Sequence, residues 1–347
     1  MIPKNLPVHN WSVRTLRLGI ALSVFLSCYS CNSSDDEDLI GNWVQLGSFS
    51  GVKRADAVAV SMDNKAYIAT GYDGEDRLND VWEYDASRDT WIRLDEGATV
   101  RPPARNDAVG FGANGKIYIA TGYDGTYELD DLWEFDPASG VWTQKADFPG
   151  GVRRGAVAFS INNKGYVGTG LSNKNYMKDF WEYDPTTDTW TKKADISGPK
   201  RRDAAAFVLD GKGYVVSGTD NGQQKEEFSY YDPSTDTWTP LRKISNATDE
   251  TFDDDYDITR DRAVAFAVGG KGYLATGGRN TTGSTVWEYN PATDLWIEKT
   301  SYEGSSRIEA VAFVVNDVAF VATGRSSSYY FDDVWRFEPN SEYEDQD

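Results

Sequence analysis

From residue 54 onward the apolar positions fall in short bursts, five to seven residues long, separated by polar turns. One kind of burst is rich in small residues: RADAVAV at 54, RNDAVGF at 105, RRGAVAF at 153, RRDAAAF at 201, RDRAVAF at 260 and RIEAVAF at 307. A second is β-rich and ends in glycine: KAYIATG, KIYIATG, KGYVGTG, KGYVVSG, KGYLATG and VAFVATG. A third is an aromatic hairpin: VWEYDASRDTW (81–91), LWEFDPASGVW (132–142), DFWEYDPTTDTW (179–190), FSYYDPSTDTW (228–238) and VWEYNPATDLW (286–296), with a worn copy, VWRFEPNSEYE, from 334. Runs this short, rich in β-branched and aromatic residues and bounded by turn residues, predict strands. Between the first two bursts lie pairs such as Asp63-Asn64, Asn114-Gly115, Asp210-Gly211 and Gly269-Gly270, which tolerate positive φ and suit two-residue hairpins. Each unit therefore reads as four antiparallel strands, and the sixfold recurrence predicts a repeat architecture.

The order of side-chain sizes predicts how the units are arranged. Ala57, Ala108, Ala156, Ala204, Ala263 and Ala310 mark the first strand, whereas Trp82, Trp133, Trp181, Trp287 and Trp335 mark the third, with Ser229 breaking that series. Small residues belong where strands crowd an axis, and bulky ones where sheets diverge. The strand-ending glycines at 71, 122, 170, 218, 277 and 324 let the chain bend away without a Cβ. The sixth unit lacks its closing tryptophan, and NWVQL at 42–46 is a tryptophan strand with no unit before it. The Trp43 strand is thus expected to complete the last sheet beside Trp335 and remove an open edge. Spacing between closing tryptophans is 48 to 51 residues, except for 58 between Trp238 and Trp296, where the excess is the acidic loop SNATDETFDDDYDITR.

The strand-ending glycine, the Tyr-Asp-Pro turn and a tryptophan seven residues after the tyrosine (Tyr84–Trp91, Phe135–Trp142, Tyr183–Trp190, Tyr231–Trp238, Tyr289–Trp296) resemble the kelch repeat. The usual glycine pair stands only at Gly277-Gly278. The resemblance implies an all-β, six-bladed kelch-type β-propeller, related to the galactose-oxidase central domain, with four antiparallel strands per blade over 42–340.

Composition adds location and exclusions. The formal charge of -20 argues against nucleic acid as a partner, because binding there needs clustered positive charge. Residues 1–30 carry Lys4, Arg14 and Arg17 before the apolar LGIALSVFLS, which has the length of a signal peptide. Both cysteines, Cys28 and Cys31, follow it, and CNSSDDED resembles the lipoprotein signals of Bacteroidota. The expectation is lipidation at Cys31, with Cys28 as the alternative, and an outer-membrane protein anchored only by lipid and facing the cell exterior. An ordinary secretory signal with two incidental cysteines is the other reading. An acidic tether (31–41) and an acidic tail (341–347) would flank a monomeric propeller.

Removing residues 1–30 also removes His9, the single histidine. Copper-radical sugar oxidation, which the related oxidases perform with histidine ligands and a cysteine–tyrosine crosslink, is then excluded. So is nucleophilic catalysis with a histidine base. No cofactor and no metal is expected; the acidic loops at 72–80 and 123–131 lack calcium-loop spacing. The candidate site is a ring of arginines, Arg54, Arg105, Arg153, Arg201, Arg260 and Arg307, opening the first strands around one channel mouth. Such a ring could fork onto a carboxylate or phosphate. Its alternative role is structural, through Asp80, Asp131, Asp179, Glu227 and Asp333 at the third strands, with Thr285 leaving Arg260 less neutralised. These features favour a non-catalytic protein that binds an unidentified protein or glycan on this face. A sugar-modifying enzyme resembling six-bladed sialic-acid epimerases, and a structural spacer, are the alternatives.

Overall fold

The computed structural model describes residues 39–245, 257–279 and 281–344. The signal segment, Cys28, Cys31, most of the acidic tether and loop, and the last three residues lie outside these described residues. Six four-stranded antiparallel sheets account for the repeats, with no helix among the described residues. Blade 1 runs Val58–Met62, Lys65–Ala69, Val81–Asp85 and Thr90–Arg93, and blades 2 to 5 repeat this order. Blade 6 takes three strands from Val311–Val315, Val318–Ala322 and Val334–Glu338, and its fourth from Asn42–Gln45. The register is Trp43 opposite Phe337 and Gln45 opposite Trp335. Trp43 is fully buried, stacked on Phe337 at 4.5 Å and edge-on to Tyr302 at 4.9 Å. The terminal strand therefore closes the ring, as its sequence predicted.

Alternation in the first strands does two jobs at once. Val58 and Val60 point into the gaps between blades, while Ala59 and its counterparts Gly110, Ala158, Ala206, Ala265 and Ala312 face a central channel of about 190 Å³. Bulk moves outward from there. Phe111, Phe159, Phe207, Phe266 and Phe313 each stack on the aromatic ring opposite in the second strand, at 4.9 to 5.4 Å. The same rings then meet the third-strand tyrosine or phenylalanine of the next blade, as Tyr118 meets Tyr183 at 5.4 Å and Tyr166 meets Tyr231 at 5.6 Å. Third-strand tryptophans are only half-buried; the fully buried rings are Tyr84, Phe135, Tyr183, Tyr231, Tyr289 and Phe337.

A glycine that sequence reading leaves unexplained now has a cause. A Cβ on Gly165, Gly213 or Gly272, in the Lys-Gly-Tyr runs, would come within 2.2 to 2.4 Å of Phe111, Phe159 or Phe207 of the preceding blade. Blade 1 has the smaller Val60 at the phenylalanine position, and blade 2 answers with Ile117 in place of glycine; the two share one core cluster. Volume is thus matched pairwise across each gap. Gly165→Ile alone should destabilise by roughly 3 kcal/mol through overpacking, and Phe111→Val alone by about 2 kcal/mol. The double variant, which copies the blade 1–2 interface, should recover about 1 kcal/mol or more against their sum. Urea unfolding of the four proteins checks this, and strict additivity would contradict the matching.

Candidate functional site at the channel mouth

The six arginines that open the first strands do not present free guanidiniums to the channel. Five are fully buried and Arg260 is 7% exposed. In every blade Nη1 donates to a carbonyl sixteen residues on, that of Thr70, Thr121, Thr169, Ser217, Thr276 or Thr323, at 2.8 to 3.0 Å. Those acceptors sit at φ of 56 to 62°, a left-handed conformation that threonine rarely adopts, so their carbonyls leave the sheet ladder and need another donor. In four blades Asp80, Asp131, Asp179 or Asp333 accepts from both Nη atoms at 2.5 to 3.0 Å. The same carboxylate accepts the indole N–H of Trp82, Trp133, Trp181 or Trp335 at 2.7 to 2.8 Å. Burial pushes the carboxyls of Asp80 and Asp179 up, but the arginine forks outweigh it and hold both below the ordinary range.

Blades 4 and 5 depart from this scheme. Arg201 donates to the Glu227 carbonyl at 2.9 Å, with the Glu227 carboxylate 3.5 Å away in an ion pair without a hydrogen bond. Among the described residues, Arg260 has only neutral hydrogen-bond acceptors, including Thr285 Oγ1 at 2.8 Å. Burial lowers both guanidiniums to about 10, which still leaves them charged at neutral pH. The expectation of a ligand-binding ring is therefore corrected. Apart from the buried, unbonded Nη2 of Arg201, the Nη donors are taken up by carbonyls, carboxylates and the Thr285 hydroxyl, and the ring ties strands together.

The mouth itself is built two residues further along. Asp56, Asp107, Gly155, Asp203, Arg262 and Glu309 all have φ between 52 and 59°. The N–H of each donates to the carbonyl of its counterpart in the preceding blade, at 2.9 to 3.3 Å, in a closed circle of six bonds. These residues and the marker alanines line a cavity of about 160 Å³. Burial, then Asp107 and the other acids, raises Asp56 well above the carboxylate range; burial, then Glu309, also raises Asp107, against the opposing charge of Arg154. The Asp203 side chain is 8% exposed, and burial, then Asp107, brings its carboxyl up to about 7. Glu309 is held by Arg262 at 3.3 Å and by Arg325 at 2.8 Å.

Above this floor each loop between second and third strands folds into a small hairpin, pairing Tyr72 with Arg77, Tyr123 with Glu128, Leu171 with Tyr176, Thr219 with Gln224, Gly278 with Thr282 and Arg325 with Tyr330. In the first two, Asp73 and Asp124 accept backbone N–H groups of their own turns, which gives one acid of each loop a structural role. Arg77 lies between the rings of Tyr72 and Tyr123, 5.1 and 4.8 Å from their centroids. Tyr127 and Tyr329 stand exposed on the rim. Sequence reading passed over the mouth acids because each sits beside a marker alanine and looks like part of a turn. The available signal was Asp, Asp, Gly, Asp, Arg and Glu at one fixed offset from the arginine, four of them residues that favour the left-handed region.

Comparison with known proteins supports the repeat assignment. A family model described as a KLHDC2/KLHL20/DRC7 Kelch-repeats domain matches residues 43–151, and one for the Kelch motif matches 200–244. Kelch-like protein 35 of Homo sapiens is 28% identical over 110 residues, 32% of this chain and 18% of that protein. The leucine-zipper-like transcriptional regulator 1 homolog of Drosophila melanogaster is 32% identical over 111 residues, 31% of this chain and 11% of its own length. The N-acetylneuraminate epimerase of Pasteurella multocida is 24% identical over 183 residues, 41% of this chain and 46% of that enzyme. The chain thus spans less than half of each of these relatives. Among solved structures, that of YjhT superposes with a TM-score of 0.70 at 15% identity, covering 83% of this chain and 95% of the other, a likeness of fold.

Two outcomes follow from the site's electrostatics. Arg105→Met leaves the part-buried Asp131 carboxylate with only the Trp133 indole N–H, and the Thr121 carbonyl without its donor, and should cost about 3 kcal/mol in denaturant unfolding; a loss below about 1 kcal/mol would contradict the tie. For Asp203 the folded carboxyl lies above its unfolded value of 3.8. The native state therefore holds the extra proton, and stability is full below the unfolded value and falls as pH rises toward about 7. Asp203→Asn should remove that slope and be more stable than the parent by roughly 1–3 kcal/mol near neutral pH. Melting curves from about pH 4 to 8 read it directly.

Proposed function

Because this chain is a six-bladed kelch-repeat propeller, we propose that it is a non-catalytic recognition protein whose basin at the channel mouth holds a glycan. The observation that carries this reading is the basin. Six loop hairpins wall a charged, concave floor where acids and guanidiniums stand side by side under a rim of tyrosines. Mixed donors and acceptors beneath aromatic faces suit hydroxyl-rich ligands. The signal-like segment and acidic tether support a location on the cell surface, with a lipid anchor at Cys31 or Cys28.

A second reading, a sugar-modifying enzyme, is favoured by one specific observation. Asp203 is brought near neutrality inside the basin, where a carboxyl could give and take a proton. The sequence similarity to an N-acetylneuraminate epimerase supports the same reading.

Thermal shift of the full chain against neutral and acidic sugars tests both. Ligand at a hundred times its dissociation constant stabilises by about 2.7 kcal/mol, a shift of a few degrees. A shift that Asp107→Asn weakens, without turnover of N-acetylneuraminate followed by NMR, is the expected result. Turnover that Asp203→Asn abolishes in a folded protein would replace recognition with catalysis. A flat response to every sugar would overturn both readings.

A further inference from the structure

At the perimeter, each seam between neighbouring blades closes on one backbone N–H just past the fourth strand. In four seams a carboxylate of the next blade, from Asp89, Asp188, Asp236 or Asp294, accepts that N–H at 2.9 to 3.0 Å. The same carboxylate accepts the hydroxyl of the third-strand tyrosine at 2.7 to 3.0 Å. Between blades 5 and 6, Gly41 stands at the aspartate position, and the Thr300 N–H donates to the Ile40 carbonyl at 3.3 Å instead. The remaining seam, between blades 1 and 2, has Gly140 for the aspartate and Phe135 for the tyrosine. There the N–H belongs to Asp95, a residue only 1% exposed, and it has no acceptor among the described residues. Phe135 belongs to the same change, because a hydroxyl there would also need the missing carboxylate. The Trp142 indole N–H is unbonded as well, but so are those of Trp91 and Trp296, so the Asp95 N–H is what sets this seam apart.

Gly140 keeps the left-handed turn of its counterparts, with φ of 69° against 51 to 55° for the four aspartates, so the carboxylate alone has gone. Within 4 Å, a Cβ there would meet only the Leu94 carbonyl oxygen, at 3.0 Å. The freed space opens onto a groove of about 350 Å³ walled by Leu94, Ala98, Val100, Val141 and Trp142, a size within the range of ligand clefts. Val100 and Val141 are each 53% exposed, so the groove faces solvent on the outer strands, apart from the mouth. We infer that it docks an extended acidic segment of a partner protein, whose aspartate carboxylate accepts the Asp95 N–H while a neighbouring aliphatic side chain lies on Val100, Val141 and Trp142. The other seams show four times that this backbone takes an aspartate carboxylate from a passing chain. Charge permits the guest. Arg93 and Arg101 pair with Asp95 at 2.9 and 3.0 Å, and with Glu96 on the wall they leave the groove balanced on a chain of formal charge -20. An acidic guest therefore meets no net repulsion close by.

The test is NMR and calorimetry of the isotope-labelled full chain with acetyl-Leu-Asp-Leu-amide and its asparagine counterpart. The Asp95 amide signal should move downfield with the aspartate peptide, which should bind about tenfold or more tightly than the other, the worth of one charge-assisted hydrogen bond. Gly140→Asp restores the chain's own carboxylate on a turn that four aspartates already adopt. It should weaken the peptide about tenfold or more while the melting temperature holds or rises. Val100→Ser/Val141→Ser alters only half-exposed side chains, and should weaken the peptide severalfold in a protein that melts as the parent does. If the asparagine peptide binds as tightly, or Gly140→Asp keeps the affinity within about twofold, the groove does not read a carboxylate and the proposal is wrong. An Asp95 signal that neither peptide moves means that water alone satisfies this N–H, which overturns it too. Movement of that signal with protein concentration alone would make a second copy the occupant and overturn the partner assigned here.

Discussion

Everything around the axis depends on one buried arginine per blade. A propeller must turn its chain sharply where the second strand leaves the crowded centre, and the turn strands a carbonyl at a left-handed residue away from the sheet. The guanidinium reaches that carbonyl within its own blade, and in four blades takes an aspartate at the third strand with its remaining donors. The arginine's own carbonyl points the other way. It accepts the N–H of the strand-ending glycine in the preceding blade, from Gly71 to Arg105 through to Gly324 to Arg54, at 2.8 to 2.9 Å. One residue thus fixes a turn in its own blade and joins that blade to the one before it, all the way round. A lysine would supply the charge without the planar fork. The cost of burying the charge is met unequally, because Arg201 and Arg260 lack the paired aspartate oxygens that the other four have.

Most of the fold could be read from the chain because it is written six times. Size order along each unit, turn pairs and the unmatched Trp43 strand gave strand count, blade count and closure, and register followed from alternation. Contacts between blades were less legible. That Gly165 is glycine because Phe111 of another blade lies against it is a long-range fact with no local signature. The polar bend of the aromatic hairpin is another instance. Asp188 lies in a turn, yet it accepts the Tyr183 hydroxyl at 2.7 Å and the Ala146 N–H of the preceding blade at 2.9 Å. From sequence this bend looks like an exposed turn, and the structure makes it a clasp between blades.

The site was less legible still, for a related reason. Repetition drew attention to the arginine, since a charged residue recurring at one position six times looks purposeful. Yet recurrence in every blade is what a structural residue shows, because every blade has the same turn to satisfy. Binding one asymmetric ligand on a sixfold ring requires the opposite, positions that share a backbone geometry and differ in chemistry. The two residues after the arginine behave this way. The first reads Ala55, Asn106, Arg154, Arg202, Asp261 and Ile308; the second reads Asp56, Asp107, Gly155, Asp203, Arg262 and Glu309.

That variation gives the mouth a direction. Blades 1, 2, 4 and 6 contribute Asp56, Asp107, Asp203 and Glu309 to the floor, while blade 3 contributes Gly155 and blade 5 Arg262. A ligand entering such a ring meets a different side chain at each blade, so the six positions are not interchangeable to it. The arginine ties make this possible, because a rigid backbone circle holds the differing side chains at set distances and spares them the work of holding the fold. Sites of this kind are read most readily from the positions where a repeat breaks its own rule, and here the sharpest break is Gly155.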